Sequence, residues 1–258
     1  MSLVNVSDDS EVRILTLSRP KANAMNLAMV DELLQAVRSA ASDEHVRAVV
    51  IASDQKGFFS AGFDVEEVFG YDLPAMRHFF GLFMDVFDGF LHMPKPVIGA
   101  LSGHTWAGGA FLALGFDARV FAEGEYGFAL NEINFGAVLP TGIRRALIGV
   151  VGAREATRII LGGETVSPQK ALSIGLADAV VTSEEALPAA LHVAHQLGAK
   201  PENAFAFTKR ALQLDAGYST EREPLDAFLE QWFSPECAER RQALTAALKA
   251  KSAKKQVG

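Results

Sequence analysis

The chain has 258 residues, 49% of them hydrophobic, enough for one large domain or a core with a small appendage. Its formal net charge of -7 argues against general phosphate-backbone binding, which needs clustered Lys and Arg, but leaves room for a local basic pocket on a small anion. The single cysteine, Cys237, rules out an intrachain disulfide, fits a reducing compartment and reads as a passive helix residue. No run approaches the roughly 18 apolar residues of a membrane span. The first ten residues are polar and acidic rather than basic and then apolar. The expectation is a soluble cytoplasmic enzyme that binds neither nucleic acid nor membrane.

Residues 11–17 (EVRILTL) and 47–52 (RAVVIA) are rich in β-branched side chains and read as strands. Between them, Val30, Leu33, Leu34 and Val37 recur at helical spacing within 27–41, with Asn26 placed as N-cap. This β-α-β unit predicts parallel pairing through a right-handed crossover. Residues 73–91 read as a long helix carrying Phe79, Phe80, Phe83, Phe87 and Phe90, most of them core. A strand at 96–101 leads to a glycine-rich turn and a helix from about Gly108, then to a short strand at 118–121. Ser167-Pro168 opens a further helix and Gly175 closes it. From Pro201 three helical segments follow, at 201–214, 221–232 and 235–250, with no strand between them. The expected division is an α/β core over 1–200 and a helical region over 201–258. Lys249, Lys251, Lys254 and Lys255 read as a solvated tail.

Two turns suggest chemistry. Phe59-Ser60-Ala61-Gly62-Phe63-Asp64 and Ala107-Gly108-Gly109-Ala110 are small-residue segments, each just after an apolar strand. Glycine allows the first to reverse tightly, which frees the Phe63 amide. Gly108 opens a helix, where unpaired N–H groups and the dipole favour negative charge. Taken alone, the first is equally an ordinary strand-to-helix turn, and the second lacks the Gly-Lys-Ser/Thr ending of a phosphate loop. Aimed at one oxygen, the two amides would form an oxyanion hole. Glu132 supplies a lone carboxylate further on. His104 reads as a packed or hydrogen-bonded histidine, Trp106 as wall and Asp64 as a turn stabiliser. The sequence contains no metal-ligand cluster, no Gly-x-Ser-x-Gly elbow and no dinucleotide fingerprint.

In order along the chain come Arg19-Pro20, Asn23-Ala24-Met25-Asn26, Val46-Arg47-Ala48-Val49-Val50-Ile51, Phe59-Ser60-Ala61-Gly62 and Lys95-Pro96-Val97-Ile98-Gly99-Ala100. Ala107-Gly108-Gly109, Phe116-Asp117, Val166-Ser167-Pro168-Gln169-Lys170-Ala171 and Gly175-Leu176-Ala177-Asp178 complete the set. In this order and spacing they resemble the crotonase (enoyl-CoA hydratase/isomerase) superfamily over most of residues 11–200. The resemblance implies an α/β, crotonase-like spiral of β-β-α units forming two nearly perpendicular sheets. It also implies a helical C-terminal trimerisation region and a homotrimer or hexamer. The implied substrate is an acyl-CoA, with coenzyme A part of the substrate and no separate cofactor. By position, the Phe63 and Gly108 amides match the two oxyanion donors, and the Ala61 carbonyl matches an adenine contact. Phe80 and Phe83, with Phe111 and Leu139, match the wall of the acyl pocket. Lys209, in Thr208-Lys209-Arg210, matches a CoA-phosphate contact, against the alternative of a solvent-exposed side chain.

One departure from the pattern bears on the reaction. Hydratases of the superfamily use two glutamates. Here the first position holds Phe111, and the second matches Glu132. Adding water requires that it be oriented as well as deprotonated, whereas one carboxylate suffices to carry a proton. Leu130-Asn131-Glu132, followed by Gly136 and Pro140, resembles the single-glutamate Δ3-Δ2 enoyl-CoA isomerases. Burial beside Phe111, Phe128 and Leu139 would raise the pKa of Glu132, which suits a group that accepts and returns a proton. The implied function is movement of a double bond from Δ3 to Δ2. The alternatives are hydration, thioester hydrolysis, and acyl-CoA binding without turnover.

Overall fold

The computed structural model describes residues 2–218 and 225–256. The first β-α-β unit forms as its pattern dictates. Val12–Leu17 (β2) and Ala48–Ser53 (β3) pair in parallel, joined by the helix Leu27–Ser42 (α1). The Asn26 side chain accepts a hydrogen bond from Met29 N at 3.1 Å and so caps α1. Val30, Leu33, Leu34 and Val37 are all buried. An additional strand, Val4–Asp9 (β1), pairs antiparallel with β2 at the sheet edge. Only Val4 of its six residues is buried, so it carries no apolar alternation to announce it.

Each later turn of the chain lays one strand in each of two sheets. Phe58–Ser60 (β4) belongs to the second sheet, and Val97–Leu101 (β5) returns to the first. His104–Trp106 (β6) and Ala118–Ala122 (β7) repeat this alternation, followed by Phe128–Ala129 (β8), Thr165–Val166 (β9) and Ala179–Val181 (β10). The first sheet runs β1-β2-β3-β5-β7-β10, parallel except at β1, and the second runs β4-β6-β8-β9. The helix Leu73–Leu91 (α3), with Asp72 as its cap, buries Phe79, Phe80, Phe83, Phe87 and Phe90 in the main core. A short helix, Val65–Val68 (α2), precedes it. Gly108–Leu114 (α4) follows β6, and Thr141–Gly162 (α5) follows the Glu132 turn. Pro168–Ser173 (α6) has the expected Ser167 cap. Ala186–Gly198 (α7) lays Ala190 and Ala194 against Val50, Ile98 and Val120, which forms a second, smaller core.

Three helices complete the described chain: Glu202–Asp215 (α8), Asp226–Trp232 (α9) and Pro235–Gln256 (α10). Of the expected helix at 221–232, residues 221–224 lie outside the described residues. Among the described residues no strand follows Val181. The basic cluster expected as a tail continues α10 to Gln256. No helix among the described residues is long and apolar enough to cross a membrane.

Candidate active site

Strands β4, β6 and β8 lie side by side and parallel, so their C-terminal ends open on one edge of the second sheet. Beyond β4 the chain reaches Phe63, beyond β6 it reaches Gly108, and beyond β8 it reaches Glu132. Ligands bind at such carboxyl edges in α/β proteins because the departing loops and helix starts converge there.

The loop before α1 holds the first turn. Asn23 is completely buried, and its side-chain amide donates to Leu17 O, Ser53 Oγ and Phe59 O at 3.2, 2.8 and 3.0 Å. Its Oδ1 accepts from Arg19 N at 2.8 Å. Lys21, Ala22 and Asn23 all adopt positive φ, a costly run for non-glycine residues, and these contacts hold it in place. Ser60 Oγ donates to Asn23 O, and Ala61 N donates to Ala22 O. Met25 then pairs across the turn, its N–H donating to Gly62 O at 2.7 Å and its carbonyl accepting from Asp64 N at 2.8 Å. The Phe63 N–H between these bonds has no partner among the described residues.

The second turn is held equally firmly. Ala107 N donates to Ala129 O at 2.8 Å, and Ala107 itself sits at φ 47°, ψ -119°, a strained conformation for a residue with a Cβ. Gly108 begins α4 with its N–H unpaired among the described residues. The two turns touch. At Gly62 (φ +94°) an added Cβ would come within 2.9 Å of Ala107 Cβ and 3.2 Å of Gly108 N. At Gly108 it would meet the Phe63 ring at 2.7 Å. Only residues without a Cβ permit this approach, which brings both free amides to one place.

Glu132 opens a 3-10 turn over Glu132–Phe135. The residue is 5% exposed, and its Oε2 is buried with no hydrogen-bond partner among the described residues. Burial pushes the carboxyl up to about 8, opposed only by a hydrogen bond from its own backbone N–H. A buried carboxyl with one oxygen unpartnered is a poor structural element, since desolvation is not recovered, and a good candidate for chemistry.

The remaining expected residues fall in several places. Ala61 is half-buried, and its carbonyl accepts no hydrogen bond among the described residues. Phe111 and Leu139 are 1% and 5% exposed. Phe80 and Phe83, expected to line the acyl pocket, have no exposed surface, and the Phe63 ring lies 6.0 and 4.8 Å from them. Lys209 is a correction. It is not the solvent-exposed side chain of the alternative reading, because it is buried and its ammonium donates to Asp117 Oδ2 at 2.7 Å and to Lys95 O at 3.3 Å. It lines a separate cavity of about 580 Å3, to which Phe63, Gly108 and Glu132 do not contribute. Asp64 caps α2 and pairs with Arg19 at 2.5 Å, and His104 Nδ1 accepts from Gly127 N at 3.2 Å, so both are held structurally.

The sequence reading missed a cleft of about 710 Å3 between α2 and α10, next to the Phe63 turn. It is lined by Val65, Glu66, Arg241, Thr245 and Lys249 among others. Arg241 stacks on the Trp232 ring at 4.4 Å and leaves its Nε buried and unpartnered. The helical spacing of Arg241, Thr245 and Lys249 was the available signal, but the opposing wall lies far away in sequence. No group of three or more metal-ligating side chains occurs among the described residues.

Fold and site together define an α/β spiral whose polar groups gather at the ends of adjacent parallel strands. The enoyl-CoA hydratase/isomerase family pattern matches residues 8–246, and the chain belongs to that family of enzymes. It is 30% identical over 215 residues to human mitochondrial enoyl-CoA delta isomerase 1, covering 82% of this chain and 70% of that protein. It is 33% identical over 230 residues to 2,3-dehydroadipyl-CoA hydratase of Escherichia coli K12, covering 86% of this chain and 89% of the other. The crystal structure of human mitochondrial delta3-delta2-enoyl-CoA isomerase superposes with a TM-score of 0.88 at 25% identity, covering 97% of this chain and 99% of the other.

Proposed function

We propose that this enzyme moves the double bond of a 3-enoyl-CoA to the 2 position, with Glu132 as the sole proton carrier. The observation that carries the reading is the buried Glu132 carboxyl, whose Oε2 has no partner among the described residues; the resemblance adds that Phe111 stands where hydratases would place their other glutamate. In the proposed reaction the thioester oxygen sits in an oxyanion hole formed by the Phe63 and Gly108 amides. Ionised Glu132 removes a C2 proton, the electrons move into the carbonyl as a dienolate, and the amides stabilise the new charge. The carboxyl then returns its proton at C4. The sequence is redox-neutral and calls for no cofactor beyond the substrate's own CoA.

Support for the CoA end comes from the cleft beside α2, where Arg241 and Lys249 suit phosphate, and from the unpaired Ala61 carbonyl, which suits the adenine amine. Assembly as a homotrimer or a pair of trimers is part of the reading. It is supported by exposed Phe207 and Leu214, seven residues apart on one face of α8 and 77% and 53% exposed.

Mass spectrometry after incubation with a 3-enoyl-CoA and with a 2-enoyl-CoA tests the reaction. Isomerisation leaves mass unchanged while the double bond moves. Gain of one water from the 2-enoyl substrate would assign hydration instead, and release of free CoA would assign thioester hydrolysis. Binding with no product from either substrate would make the protein a carrier.

A further inference from the structure

We propose that Phe228 of α9, stacked face to face on Phe80 of α3, is the end wall of the acyl site and restricts the enzyme to thioesters of short acyl chains. The inference rests on the acyl-CoA reading above and adds its substrate class. The two rings lie 3.8 Å apart between centroids with planes at 7°. Phe80 is fully buried and Phe228 is 5% exposed.

This stack continues from the donor turns. The Phe63 ring projects from the first turn onto Phe83 at 4.8 Å and Phe80 at 6.0 Å, both edge-on. Phe111, one helical turn into α4, lies 6.5 Å from Phe63 and 6.1 Å from Phe83. Phe228 also stacks on Trp232 at 5.6 Å, and Trp232 meets Phe135 of the Glu132 turn edge-on. In the proposed pose, with the carbonyl held by the two amides, a tail directed along the Phe63 ring meets these rings, because that ring leaves the first donor turn and packs on Phe83 and Phe80. They fill the space in contact with one another, so a long tail has no room until a ring moves.

The wall is anchored. Gln231 Nε2 donates to Gly136 O at 2.7 Å, which fastens α9 to the loop just after the Glu132 turn, and Arg77 of α3 pairs with Asp226 at 2.7 Å. Displacing Phe228 therefore disturbs the segment that carries the carboxyl. This makes the ring a size filter rather than a loose flap.

Affinities for saturated butyryl-, hexanoyl- and dodecanoyl-CoA, measured calorimetrically on the full chain, test the proposal without requiring turnover. An open apolar channel would tighten binding by about fourfold for each added methylene. The expected result is a gain from butyryl to hexanoyl and none, or a loss, at dodecanoyl. Phe228→Ala is expected to shift the dodecanoyl-to-butyryl preference toward the long chain by about tenfold or more. Phe228→Leu, which keeps more of the packing, is expected to shift it less and in the same direction. If wild-type affinity climbs with every methylene, or if neither variant changes the ratio beyond about twofold, the size filter is wrong while the acyl-CoA reading stands. If no thioester of any length binds, that reading fails and takes the filter with it.

Discussion

In the proposed reaction Glu132 is the residue on which the chemistry turns, and its environment makes two predictions. Glu132→Gln keeps the shape and removes the proton carrier, so kcat should fall by about 10²–10⁴ while acyl-CoA affinity changes little. Turnover near wild type in that variant would refute the role. The second prediction concerns pH. The carboxyl must be ionised to take the first proton, so kcat/KM should rise with pH through a midpoint near 8. Stability should move the opposite way. The folded-state value of about 8 lies above the ordinary 4.5, so below 4.5 both states hold the proton and folding is unpenalised. Between those values only the folded state keeps it, and stability drains away as pH rises through the window. In Glu132→Gln this loss should vanish, so the Tm gap between variant and parent should widen from pH 4.5 to 8 and then level off. The two turns make a third prediction. Gly62→Ala would push Cβ against Ala107 and Gly108 N, separating the amides. The expected result is a rate loss of about 10²–10³ with a stability loss of roughly 1–3 kcal/mol, read by kinetics and denaturant melts.

At the level of elements, α8 is fastened to the spiral by the Lys209–Asp117 and Arg47–Glu202 pairs and by a hydrogen bond from Gln213 to the Leu91 carbonyl. Lys209→Met would leave the half-buried Asp117 without its cation, at a cost of about 1–3 kcal/mol in a urea melt, and should leave CoA-thioester affinity intact. A large loss of affinity with unchanged stability would restore the phosphate role. The same pair shows where sequence reasoning stops. The extent of α1 and α3 and the caps of α1 and α6 were legible because apolar spacing and capping residues act locally, as at Asn26 and Ser167; the Asp72 cap of α3 was overlooked. β1 was not legible, because five of its six residues face outward. Lys209 was misread because its partner lies 92 residues away, a distance over which no spacing rule operates. Glu132 and both glycine turns could be picked out, but that they follow the ends of adjacent strands depends on β4, β6 and β8 being neighbours. Strands of two or three residues hardly register in a pattern.

For the molecule as a whole, the proposed trimer is the property most open to direct measurement. Light scattering should return three or six chain masses, and Phe207→Asp, which places a charge on the exposed face of α8, should shift the distribution toward single chains. A monodisperse monomer for the wild type would remove assembly from the reading. The three proposed reacting groups come from within this chain, since Phe63, Gly108 and Glu132 follow three neighbouring strands of one sheet. Any dependence of activity on assembly would therefore act through the C-terminal helices that pack over the Glu132 turn.

The three strand ends carry a broader consequence. Each delivers its group through backbone pairing that is indifferent to the side chain one helical turn further on. Reagents can thus be exchanged while the chassis stays intact, as the phenyl ring at 111 illustrates. Such modularity lets evolution, or an engineer, retool the reaction by altering a tenant and leaving the masonry alone.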